Sequence, residues 1–122
     1  MARVLIAEDN IVNRMIIETM VHKGGYEVHP VVNGVDAVRA VKEEDYLCVL
    51  MDIHMPEMDG IEATRQIRAL VGWKSKVPII AVTANVVESV REEALEAGMN
   101  EFLSKPINFT ELLDAIKRAI IN

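Results

Sequence analysis

Cysteine is almost missing from this 122-residue chain, and that scarcity excludes several classes of protein at once. The one thiol, Cys48, has no disulfide partner and lies inside an apolar run. It reads as a buried, reduced core residue suited to a cytosolic setting. Positive charge is also short. Thirteen Lys and Arg stand against nineteen Asp and Glu, for a net charge of −6. Phosphate neutralisation needs basic patches, so direct nucleic-acid binding by this domain is not expected. No apolar stretch approaches the ~18 residues that span a bilayer, and no basic segment precedes a long apolar one at the N-terminus. Neither membrane contact by this domain nor a secretion signal is expected. No linker, repeat or low-complexity tract interrupts the chain. Gly24 and Gly25 lack the spacing of a dinucleotide-binding loop and do not follow the first strand.

What is present is one domain's worth of chain, 1–122, able to bury roughly 65% of its unfolded surface without staples. Short apolar runs at 4–7, 47–51, 79–82 and 102–103 alternate with longer helical patterns. Such runs read as strands of a parallel sheet buried on both faces. Strands are expected at 2–7, 26–31, 46–51, 78–82 and 101–104. Helices are expected at 11–23, 33–41, 59–70, 85–97 and from Asn108 onward. The first helix should bury Val12, Met15, Ile16, Thr19 and Met20. The third should bury Ile61, Thr64, Ile67 and Leu70; the fourth, a sparse stripe of Val87, Val90 and Ala94. The last carries the clearest pattern, at Phe109, Leu112, Leu113, Ile116 and Ile120. Pro30 suits an edge strand, and 71–76 reads as a loop. The fold class is therefore α/β: a doubly wound, five-stranded parallel sheet, (βα)5, in the flavodoxin-like order 2-1-3-4-5.

Each run is followed at once by a polar group: Glu8 and Asp9, Asp52, Thr83, and Lys105 with Pro106. Parallel strands end on one side, and open α/β sheets hold their sites beyond those carboxyl ends. Three carboxylates, a hydroxyl and an ammonium should thus meet in one small pocket. Two carboxylates ~5 Å apart repel by roughly 3 kcal/mol at an effective dielectric near 20. One carboxyl keeps a proton, or a cation resides there. Oxygen donors in this number, without Cys or a well-placed His, favour Mg²⁺ or Mn²⁺ over Zn²⁺. Metal, ammonium and hydroxyl together suit a phosphoryl group, with Asp52 as nucleophile and Thr83 and Lys105 on the transferring oxygens. A cis bond before Pro106 would aim the lysine back into the pocket.

At this point the segments 4–10, 51–60, 80–85 and 98–107 closely resemble the receiver domain of two-component response regulators. The likeness covers essentially the whole chain, and the details of 8–13, 83–85 and 98–107 look most like receivers of hybrid sensor histidine kinases. The resemblance implies that Asp52 accepts phosphate from a phosphohistidine of a histidine kinase or histidine phosphotransfer partner. It implies direct Mg²⁺ ligation by Asp9 and Asp52, Glu8 acting through water, and His54 giving its backbone carbonyl. Thr83 and Lys105 would hold phosphoryl oxygens. Phe102 matches an aromatic switch position where many members have Tyr or His. His54 and Asn85 occupy positions that tune phosphate lifetime. Phosphorylation would draw Thr83 inward, let Phe102 turn, and change the face of the fourth helix, fifth strand and fifth helix. That face is the expected partner surface and the one through which two copies would pair weakly, if they pair. The expectation is a cytoplasmic module that promotes only its own phosphorylation and dephosphorylation, as part of a longer, membrane-bound sensor kinase; a single-domain regulator is the alternative.

Rival readings fare worse on the residues. An Asp-nucleophile phosphatase of the haloacid dehalogenase type needs a second Asp two residues on, where this chain has His54. A flavin protein on the same fold needs a phosphate cradle where this chain has an acidic pair. A scaffold that never accepts phosphate leaves the intact constellation unexplained. His22 complements a helix dipole, His29 should be exposed on an edge strand, Trp73 should pack on the nearby helix end, and the seven Met fill core.

Overall fold

The computed structural model describes residues 2–84 and 87–121. Its strands are β1 (Arg3–Ala7), β2 (Glu27–Val31), β3 (Cys48–Asp52), β4 (Ile79–Thr83) and β5 (Glu101–Ser104). Its α-helices are α1 (Ile11–Lys23), α2 (Gly34–Glu43), α3 (Gly60–Arg68), α4 (Glu88–Ala97) and α5 (Phe109–Ile121). The strands pair in parallel in the order β2-β1-β3-β4-β5, as the sequence predicts. Alternation along the strands divides the core in two. Leu5, Val49, Met51, Ile79 and Ala81 face one layer with α2, α3 and α4. Val4, Ile6, Leu50, Ile80 and Val82 face the other with α1 and α5. Both faces are covered, so β3 and β4 are buried throughout.

Polar side chains set the helix starts. Asn10 caps α1, Asn33 caps α2 and Asp59 caps α3, each accepting from the amide three residues on. Gly98 ends α4 at φ 111°, where a left-handed residue is needed.

Several expected faces are corrected. α1 buries Ile17 and Val21, with Met20 half-buried, whereas Val12, Met15, Ile16 and Thr19 are exposed. The helix is apolar on more than one side, so periodicity alone could not choose the inward face. In α4 the buried residues are Ala94 and Ala97; Val90 is half-buried and Val87 exposed. Its expected start at Asn85 lies outside the described residues. In α5 small Ala115 and Ala119 join Leu112 and Ile116 inside, while Ile120 is exposed. Residues 72–76 form a 3₁₀ turn rather than an open loop. There Trp73 is exposed, with the Lys74 ammonium over its ring. His29 is half-buried and its Nδ1 meets the Tyr46 hydroxyl. Met51, Met55 and Met99 are core, but Met15 is exposed. Cys48 is fully buried, and burial pushes its thiol up to about 12.

Candidate functional site

β1 and β3 lie side by side at the centre of the sheet, so the residues that end them are neighbours in space. Glu8 extends β1, its amide donating to the Val31 carbonyl at 3.1 Å. Asp52 ends β3 and Thr83 ends β4, one residue beyond Val82, which stands in register with Asp52. All three are buried: Glu8 at 1%, Asp52 at 4% and Thr83 at 0% exposure. Asp9 is exposed at the mouth. Oxygen atoms of Glu8, Asp9 and Asp52 all lie within 4.8 Å of one another.

Lys105 directly follows β5. Its Nζ lies 2.8 Å from Glu8 Oε1 and 3.3 Å from Asp52 Oδ2, and the bond to Pro106 is cis. The predicted meeting of strand ends is therefore present, with the ammonium touching two of the three carboxylates.

The electrostatics follow from this crowding. Burial raises the Glu8 pKa from its ordinary 4.5; contact with Lys105 opposes that, and Asp52 adds to it. For Lys105, burial pulls the ammonium down, but Glu8 and then Asp52 outweigh it, and the net direction is up. Glu8 Oε2 accepts from the Asn10 amide at 3.1 Å. Oε1 lies 2.8 Å from the Lys105 ammonium, which is its close polar partner. Three carboxylates converging within 4.8 Å, with one ammonium between two of them, are a donor set that fits a hard, oxygen-seeking cation.

The supporting residues were less legible. The Arg14 guanidinium donates to the Glu8 carbonyl at 3.0 Å and fixes the turn into α1. The His54 amide, rather than its ring, donates to Asp52 Oδ1 at 3.2 Å. Gly60 passes so close beneath β3 that an added Cβ would stand 2.2 Å from the Asp52 carbonyl oxygen. Between them Glu57 holds φ 66°, an uncommon left-handed setting for a non-glycine residue. Phe102 is half-buried on β5, opposite Ala81 of β4. Asn85 lies outside the described residues.

The model of the response regulator receiver domain matches residues 4–117. The chain belongs to the response regulator receiver domain family. Among curated relatives it is 35% identical to "Probable histidine kinase 1" of Oryza sativa subsp. indica, over 96% of this chain and 15% of that protein. It is 39% identical to "Sensor protein GacS" of Pseudomonas syringae pv. syringae, over 93% of this chain and 13% of that one. The chain thus spans a small fraction of these relatives' length. Among solved structures it matches the receiver domain of sensor histidine kinase PA1611 from Pseudomonas aeruginosa PAO1. The TM-score is 0.92 and the identity 43%, over 99% of this receiver and 98% of the other. That structure has a magnesium ion coordinated in its active site cleft. No helix among the described residues of this receiver is long and apolar enough to cross a membrane.

Proposed function

We propose that this receiver is a phosphoacceptor module that takes a phosphoryl group from a phosphohistidine onto Asp52 in a Mg²⁺-dependent reaction. The observation that carries the reading is the ammonium of Lys105 held between Glu8 and Asp52 at the mouth of a three-carboxylate cluster. Asp9, Asp52 and the His54 backbone carbonyl would hold Mg²⁺ directly, with Glu8 acting through water. Bound there, the ion supplies charge neutralisation for the transferring oxygens.

The chain's own groups do the rest. An Asp52 oxygen attacks phosphorus as the phosphorus–nitrogen bond breaks, and the imidazole nitrogen leaves with the electron pair. The Lys105 ammonium shifts from the carboxylates toward the incoming oxygens, and the Thr83 hydroxyl donates to another. Thr83 and Phe102 lie on the same side of the sheet, because Phe102 stands opposite Ala81, two residues before Thr83. Movement of Thr83 toward the phosphoryl group therefore frees space beside the Phe102 ring. We read α4, β5 and α5 as the face that reports the change.

We read the donor as docking on α1 to reach Asp52. The apolar residues around that approach are Ile11, Val12, Met15 and Ile16, 48–61% exposed. A small cleft lined by Ile16, Ile17, Lys105, Pro106 and Ile107 joins them to the pocket. A histidine-bearing helix with an apolar flank fits this surface, as on a histidine kinase or histidine phosphotransfer domain. On this reading the receiver works in the cytoplasm as one part of a hybrid sensor kinase.

The test is transfer from a radiolabelled phosphohistidine domain. Label should move to this receiver with Mg²⁺ and fail to move with chelator or with D52N. Undiminished labelling of D52N would overturn the assignment of the nucleophile.

A further inference from the structure

We infer that Arg91 of α4 is a latch on the Phe102 ring, holding the receiver in its resting conformation. The inference rests on the phosphoacceptor reading above and adds a residue to its switch. Phe102 is half-buried, packed against the core layer beneath α2, α3 and α4. Its outer side is covered by the Arg91 guanidinium, whose central carbon lies 5.7 Å from the ring centroid. That is cation–π distance. A phenylalanine has no hydroxyl with which to hydrogen-bond, so a cation on its face is the kind of polar restraint open to it.

The placement of α4 makes this restraint consequential. The C-terminal end of the helix is fixed: Arg68 donates to the Gly98 carbonyl at 2.8 and 3.0 Å and also to the carbonyls of Ser75 and Val77. The same guanidinium reaches Asn100 Oδ1 at 2.9 Å, and that oxygen also accepts from the Ile79 amide. Among the described residues, no side chain of the helix before Ala94 is fully buried. Its first turn packs through half-buried Val90, and the fully buried residues, Ala94 and Ala97, lie toward the anchored end. Arg91, one turn before Ala94, reaches over the ring that moves when Thr83 moves. Inward rotation of Phe102 takes the ring away from the guanidinium, so the contact favours the resting state.

The consequence is measurable in the intact receiver. Arg91 is exposed on a helix surface, so R91Q keeps the fold while removing the cation. A cation–π contact at a partly exposed site corresponds to roughly a two- to five-fold shift in a conformational equilibrium. If phosphorylation proceeds through the minor, switched state, R91Q should accept phosphate from acetyl phosphate with Mg²⁺ about two- to five-fold faster than the parent. R91K, which keeps a cation, should fall between the two. In an F102L background R91Q should have no further effect. The chain has two phenylalanines, so the ring resonances of Phe102 are resolvable by NMR, and R91Q should move them toward their positions in the phosphorylated protein.

Equal rates and unmoved ring resonances in R91Q would overturn the latch, as would the same acceleration in the F102L background. Failure of the parent itself to accept phosphate would instead overturn the phosphoacceptor reading, and the latch with it.

Discussion

Replacing Lys105 by Met leaves Glu8 and Asp52 without the ammonium that both now touch. Two buried carboxylates then face each other uncompensated. Phosphoryl transfer to K105M should fall by roughly a hundred-fold or more, the loss typical of removing one preorganised donor from developing charge. Single-turnover kinetics would measure it, and a rate within a few-fold of the parent would remove Lys105 from the reaction. Glu8 gives a pH prediction with a defined sign. Its pKa is raised from 4.5 chiefly by burial, so the folded receiver holds this proton more tightly than the unfolded chain. Its contribution to stability is full below 4.5 and is lost as pH rises through the window between 4.5 and the raised value. Affinity for Mg²⁺ runs the other way, weakening as pH falls into that window, because the ion needs the carboxylate. Titration calorimetry and urea unfolding across the acid range should show opposite slopes, both flattened in E8Q.

At the scale of elements, the close approach of α3 to β3 leaves no room at Gly60. G60A should destabilise the receiver by about 1–3 kcal/mol, as overpacking against rigid backbone does, read from the urea midpoint. The two sides of α1 should separate in the same assay. I17A, which empties a buried site, should cost about 2–5 kcal/mol, whereas M15K and I16K on the exposed side should change stability by less than about 0.5 kcal/mol. The exposed pair should instead slow transfer from a phosphohistidine domain while leaving labelling by acetyl phosphate intact. Slowing of both reactions alike would argue against a docking role.

These elements also show where sequence reading reached its limit. Strand ends were legible because a polar residue abruptly follows a buried run, as at Ala7–Glu8 and Met51–Asp52. The α1 face was not, since Val12, Met15 and Ile16 satisfy helical periodicity as well as Ile17 and Val21 do. Only the neighbouring α5 and sheet decide which side is covered. Arg14, Arg68 and Gly60 act through backbone carbonyls, and a carbonyl leaves no mark on residue identity.

For the whole molecule, a polar pocket at the sheet's end couples metal occupancy to stability. Mg²⁺ at a hundred-fold over its dissociation constant should add about 2.7 kcal/mol to unfolding, provided the unfolded chain does not bind it. The urea midpoint should rise with an unchanged slope and return on chelation; no response to Mg²⁺ would disconnect the carboxylate cluster from the ion. The pocket lies where β1 and β3 run side by side, so this coupling acts on the strands that both core layers share.

The most direct test of the central claim is chemical mapping of the acceptor. The receiver is treated with acetyl phosphate and Mg²⁺, reduced with borohydride to convert an aspartyl phosphate to homoserine, and digested for mass spectrometry. Homoserine at position 52, dependent on Mg²⁺, is the predicted result. Modification at another carboxylate, or at residue 52 regardless of the ion, would contradict it.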